Sequence, residues 1–132
     1  MKKIDQTHEQ ARAIIEFYLK AKGHNIYPNP PTFIFPSEFV KKHKLGTRWR
    51  PNTNHTFDIE ASDKTTSTLI EIDDYGKHSK KSQRINDGII NDFVKYHLQG
   101  TYELYRLLKE EIVDEKGHLQ PTAAEYLKEN LF

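Results

Sequence analysis

Residues 56 to 78 read TFDIEASDKTTSTLIEIDDYGKH, and how these residues pair decides the rest of the chain. Two apolar or alternating runs, Phe57 to Ala61 and Leu69 to Ile72, flank the polar stretch Ser62-Asp63-Lys64-Thr65-Thr66. That pattern predicts a β-hairpin. Acids interrupt both strands: Asp58 in the first, then Glu71 and Asp73 at the end of the second. The two-residue period of a strand puts Glu71 and Asp73 on one face. Carboxylates covered by other elements lose hydration and must be met by cations, donors or water, and a divalent metal is one such answer.

Downstream, Ile85, Ile89, Phe93 and His97 recur at four-residue steps with Ile90, Val94 and Leu98 beside them, which predicts a long helix from Ser79 or Ser82 to Leu98. Gly88 within it costs about 1 kcal/mol relative to Ala. Gly100 ends the helix, and Thr101 to Leu108 reads as a further core strand. Strand, helix and strand together form a βαβ crossover. The run Lys109 to Val113 is ambiguous, residues 114 to 118 are a turn, and Pro121 to Leu131 is a last helix presenting Ala124, Leu127 and Leu131.

Upstream, Thr7 and Gln10 suit the start of a helix whose apolar face is Ala11, Ile14, Ile15, Tyr18 and Leu19, ended by Gly23. From Ile26 to Thr32, Pro28, Pro30 and Pro31 exclude regular structure, and Phe33 to Phe35 suits a short edge strand. Pro36 and Ser37 open a short helix over Glu38 to Lys44, and residues 47 to 55 read as a loop or irregular strand. The expected fold class is α/β: a small mixed sheet of three or four strands flanked by helices. One domain spans residues 1–132, with an N-terminal helix and Pro-rich loop (1–35), a core (36–108) and a C-terminal helical extension (109–132).

The chain has 132 residues, 36% of them apolar and 30% charged, with no cysteine. Disulfides and thiolate chemistry are excluded, so any metal must be held by oxygen or imidazole. No run is long enough to cross a bilayer and the first residues carry no apolar signal segment, so the expectation is a cytoplasmic protein without a membrane partner.

Lys and Arg number 20 against 19 Asp and Glu, but their distribution is uneven. Lys41, Lys42, Lys44, Arg48 and Arg50 occur with no acid between Val40 and Thr56, and Lys77, Lys80, Lys81 and Arg84 follow the acidic trio. Such segregation attracts a polyanion. Trp49, between two arginines, either anchors the long loop or stacks on a base. Tyr18, Tyr96, Tyr102 and Tyr105 fall at core or core-edge spacings, and His24, His43, His97 and His118 read as surface or helix-face residues.

Asp58, Glu71 and Asp73 are the convergent acidic set on neighbouring strands, able to offer a hard divalent cation its oxygens. His78, five residues past Asp73, is in reach as base, acid or further ligand. The same acids would also serve as solvent-facing strand ends or as partners for Lys and Arg.

FDIEA, LIEIDDYGKH, the helix SKKSQRINDGIINDFVKYHLQG and the strand YELYRLL together resemble small nuclease domains of the PD-(D/E)xK superfamily. The branch in question is that of the very-short-patch repair endonucleases and their short relatives. The likeness runs from about Pro36 to Leu107, and its most specific part is E-I-D with a His five residues after the Asp. It implies a restriction-endonuclease-like core with Mg²⁺ or Mn²⁺ as cofactor, Asp58 and Glu71 as principal metal ligands, and Asp73 as a further one. It also implies His78 as base or water-positioning residue, Glu38 and Asp87 in support, and Arg106 steadying a phosphate. Two features depart from the pattern. Asp73 stands where the superfamily at large has lysine, and Asp74-Tyr75 lengthens the turn before Gly76. The zinc-binding cysteines of the repair enzymes are absent, so mismatch repair is not implied.

The resulting expectation is a metal-dependent endonuclease acting on DNA in preference to RNA, with Lys41, Lys42, Lys44, Arg48, Trp49, Arg50, Lys77, Lys80, Lys81, Arg84 and Arg106 contacting nucleic acid. A homodimer is plausible, because a two-strand cut usually needs two active sites. The alternative is an inactive nucleic-acid-binding or inhibitor protein on the same scaffold, and a third class is a protein-binding domain.

Overall fold

The computed structural model describes residues 8–45, 53–63, 67–74, 80–98 and 100–131. In chain order the elements are α1 (His8–Ala21), β1 (Asn25–Ile26), β2 (Thr32–Ile34), α2 (Ser37–His43), β3 (Asn54–Thr56), β4 (Ile59–Ser62), β5 (Ser67–Asp73), α3 (Lys81–His97), β6 (Tyr102–Leu108), α4 (Lys109–Ile112) and α5 (Pro121–Leu131). The fold is mixed α/β. A four-stranded sheet runs in the order β1-β4-β5-β6, and β2 pairs with β3 in a separate two-stranded sheet.

β4 and β5 are the expected antiparallel hairpin, in register Ile59 with Ile70 through Ser62 with Ser67. β5 runs parallel to β6, Ser67 opposite Tyr102 and Asp73 opposite Leu108, with α3 as the crossover. Six of the seven residues of β5 are buried, as befits a strand covered on both faces. Its alternation sorts the core in two. Ile70 and Ile72 join Ile59, Ala61 and Leu107 under Ala11, Ile15 and Leu19 of α1 and Ala123 and Leu127 of α5. Leu69 points the other way, with Phe57, Phe35 and Phe39, beneath Ile89, Ile90, Phe93 and Val94 of α3. Each buried Ile, Leu, Val and Phe among them contributes about 1.5–3 kcal/mol by leaving water, so both faces are well anchored.

Several expectations are corrected. Asp58 lies at a bend between β3 and β4 and not within a strand. The bend breaks the period: Phe57 and Ile59, two apart, belong to opposite cores. Asn25 and Ile26 are ordered as an edge strand against Ser62 and Ala61, because the first proline comes only at Pro28. In α5 the buried residues are Ala123 and Leu127; Ala124 and Leu131 are half-buried. Tyr96 is 60% exposed, outside the core, since α3 turns Ile89, Phe93 and Val94 inward and this ring outward. Lys109 to Ile112 resolves as a short helix.

Helix ends follow local chemistry. Gly23 (φ 94°) closes α1 while His24 N–H returns to Leu19 O at 3.0 Å. Lys44, with φ 53°, makes the corresponding left-handed turn after α2, and Leu45 N–H bonds Val40 O at 2.9 Å. The expected capping residue Thr7 and stop at Gly46 lie outside the described residues, as does most of the 62–66 turn. No helix among the described residues is long and apolar enough to cross a membrane.

Candidate active site

The site forms where β4 parts from the sheet. Because the chain bends at Asp58, the end of β5 lacks a complete strand partner there, and the Asp58 side chain supplies the acceptor: Ile72 N–H donates to Asp58 Oδ2 at 2.7 Å. In return, Asp58 N–H donates to Glu71 Oε1 at 3.2 Å. The two carboxylates are thus clasped to each other's strands. Each turns its other oxygen to an imidazole, with His8 Nε2 2.9 Å from Asp58 Oδ1 and His55 Nε2 3.0 Å from Glu71 Oε2. His8 opens α1 and His55 is the middle residue of β3, so four segments converge on the pair.

Exposure grades across this group. The side chains of Glu71, Asp58 and His55 are 10%, 20% and 22% exposed, whereas His8 is 45% exposed and faces the solvent side. Burial raises the Asp58 pKa above the ordinary carboxylate value, and the neighbouring charge of Glu71 raises it further; the Ile72 N–H and His8 act in the opposite direction. His55 is held from behind by the edge of Phe57, with ring centroids 4.7 Å apart.

Asp73 shares the face of Glu71, as alternation required, but meets Arg106 and not the carboxylate pair. Arg106 Nη1 donates to both Asp73 oxygens, at 3.0 and 3.2 Å, Nε donates to Asn91 Oδ1 at 2.9 Å, and Nη2 reaches Asp87 O at 3.4 Å. Asp87 Oδ1 accepts from Gln83 and lies 3.8 Å from Arg106 Nη1. Arg106 therefore ties β5 and β6 to α3. In this arrangement its guanidinium donates to Asp73, Asn91 and the Asp87 carbonyl. Asp74 is paired with Lys109 at 2.9 Å.

Glu38 is exposed on the first turn of α2 and lines a hollow of about 200 Å³ whose walls include neither Asp58 nor Glu71. Lys41, Lys42 and Lys44 are exposed at the end of α2, and Lys80, Lys81 and Arg84 are exposed at the start of α3. His78, Arg48, Trp49, Arg50 and Lys77 lie outside the described residues.

Among the described residues, no three His, Asp or Glu side chains are grouped as a metal-binding cluster. Asp58 and Glu71 nevertheless have the donor chemistry for a hard cation. Mg²⁺ is commonly held by one or two carboxylates with water completing its shell. The charge of Glu71 that raises the Asp58 pKa would be relieved by a bound cation. His8 and His55 are the residues that the sequence reading missed. His55 is three residues from Asp58 and carried a faint signal, while His8 is fifty positions away and carried none.

No protein-family model matches the chain, and no curated protein matches it.

Proposed function

We propose that the protein is a metal-dependent endonuclease whose centre is the Asp58–Glu71 pair. The observation that carries this reading is the pair itself: two adjacent, largely covered carboxylates, one with a raised pKa, backed by two imidazoles at the mouth of a bend in the sheet. The Asp58 and Glu71 carboxylates would hold Mg²⁺ or Mn²⁺, with water completing its shell. When bound, such an ion lowers the pKa of a coordinated water and neutralises charge on a phosphodiester.

The remaining roles belong to the chain. Ile72 N–H and Asp58 N–H fix the carboxylate planes, so the ligands need not be ordered on binding. His55 orients Glu71 from the buried side, and His8, on the exposed side, is placed to move a proton. The Lys residues of α2 and the basic start of α3 hold backbone phosphates, giving salt-sensitive affinity. The hairpin followed by a crossover helix and parallel strand supports a restriction-endonuclease-like core, and the polyanion it would act on is DNA.

Asp58→Ala and Glu71→Ala are expected to lower Mg²⁺-dependent cleavage of duplex, nicked or branched DNA by on the order of a hundredfold or more, and His8→Ala by about 10²-fold. Metal affinity measured by calorimetry should fall in the first two variants and not in the third. Wild-type turnover in a folded Asp58→Ala protein would overturn the assignment. The Asp73–Arg106 pairing favours a second reading, because it withdraws the third expected acid: a nucleic-acid binder without turnover. That reading predicts salt-dependent binding unaffected by chelator and no hydrolysis with either metal.

A further inference from the structure

We infer that Tyr96, on the outer face of α3, is a stacking platform for an unpaired base of a single-stranded nucleic acid. This rests on the reading of the protein as one that handles nucleic acid, and it specifies the form of the strand and a contact residue. Tyr96 is one of the most exposed large side chains among the described residues, at 60%. Two ammonium groups lie over its ring: Lys42 Nζ, reaching across from α2, at 5.7 Å from the centroid, and Lys95 Nζ at 5.3 Å.

Beside the ring is the hollow of about 200 Å³, floored by Phe39 and His97 and rimmed by Glu38 and Lys42. That is below the size of a site for a drug-sized ligand but offers an apolar floor beside an aromatic face. The floor is firm, because His97 stacks on Phe93 (centroids 5.7 Å apart, planes at 19°) and meets the edge of Phe39 at 5.2 Å. Lys95 also borders the cleft of about 660 Å³ between α3 and β6.

An exposed tyrosine gains by being covered, and a cation over its face is a weak cover. A base laid on the ring stacks more strongly, while the displaced ammonium groups move a short distance to the phosphates on either side of that base. Bases within a duplex already have both faces covered, so the platform selects unpaired ones. Glu38 is the opposing charge on the rim, met there by Lys42, while Lys42 and Lys95 are the cations near the ring.

The test is fluorescence anisotropy of labelled oligothymidylate and oligouridylate with the full chain, in chelator so that hydrolysis cannot contribute. Tyr96→Ala should weaken binding about tenfold and Tyr96→Phe should not. Lys42→Ala with Lys95→Ala should reduce the slope of log K against log salt by about 1.4, at about 0.7 per phosphate on a single strand. The two oligonucleotides distinguish DNA from RNA as the source of the strand, and loss in Tyr96→Ala with either supports the platform. Unchanged binding in Tyr96→Ala or equal loss in Tyr96→Phe overturns it. Asp58→Ala separates the two proposals, since failure of the metal chemistry leaves this binding intact.

Discussion

The behaviour of single residues turns on what each charged atom faces. Asp73 and Arg106 have side chains only 11% and 20% exposed, so neither charge can be left without the other cheaply. Arg106→Ala is expected to cost on the order of 3 kcal/mol in urea unfolding. Pairing it with Asp73→Asn should recover part of that loss, because the carboxylate that faced the guanidinium then carries no charge; independent, additive losses would show that the contact carries no coupling. Asp58 and Glu71 differ from this pair in having imidazoles opposite them in place of a guanidinium. Each imidazole meets its carboxylate through one nitrogen, whereas Arg106 Nη1 holds both oxygens of Asp73, which leaves Asp58 and Glu71 more open to exchange of partner than Asp73. The sequence named all three acids, but the sorting into an exchangeable pair and a locked one depends on residues far away in the chain.

Among the elements, α3 shows how a helix tolerates a poor residue. Its inward face buries Ile89, Ile90, Phe93 and Val94, and Gly88 stands exposed on the opposite side. A Cβ added at Gly88 meets no atom within 4 Å. Gly88→Ala should therefore raise stability by about 0.5–1 kcal/mol, measured as a higher urea midpoint at unchanged slope, through restricted backbone freedom in the unfolded chain. A destabilised variant would mean that the helix needs the glycine for something other than packing. The helices α1, α3 and α5 were legible in sequence to within a residue or two from their apolar period, and α2 from Pro36 and Ser37 at its start. β1 was not, since two residues carry no period at all. The bend at Asp58 was not legible either: Phe57 to Ala61 alternates as an unbroken strand would, and only the diversion of Phe57 to the core beneath α3 reveals the break.

For the whole molecule, stability against pH sums opposing contributions. The Asp58 pKa is raised on folding, chiefly by burial and then by Glu71, so the folded state takes up this proton before the unfolded chain does. Its contribution to stability therefore grows as pH falls from above the raised value towards 3.8, the ordinary value. Asp114 is the reverse. N–H groups of His118 and Lys116 hold its pKa below 3.8, so its contribution is full above that value and is lost as pH falls through the depressed one. In chelator, Asp58→Asn should be more stable than the natural protein at neutral pH, with the advantage shrinking as pH approaches 4. A constant difference across that range would show that the Asp58 charge is not what the fold pays to keep.

By itself the sequence determined the hairpin, the crossover helix with its parallel strand, the terminal helices and the three acids around which they are arranged. These are local matters of period, punctuation and charge, read within single elements and the turns between them. Only the tertiary structure decided that Asp73 meets Arg106, that His8 and His55 close on Asp58 and Glu71, and that Tyr96 faces outward with two lysine ammonium groups near its ring. Those outcomes depend on which segments converge in space, and hydrophobic burial fixes that convergence without leaving a mark at the polar residues it brings together.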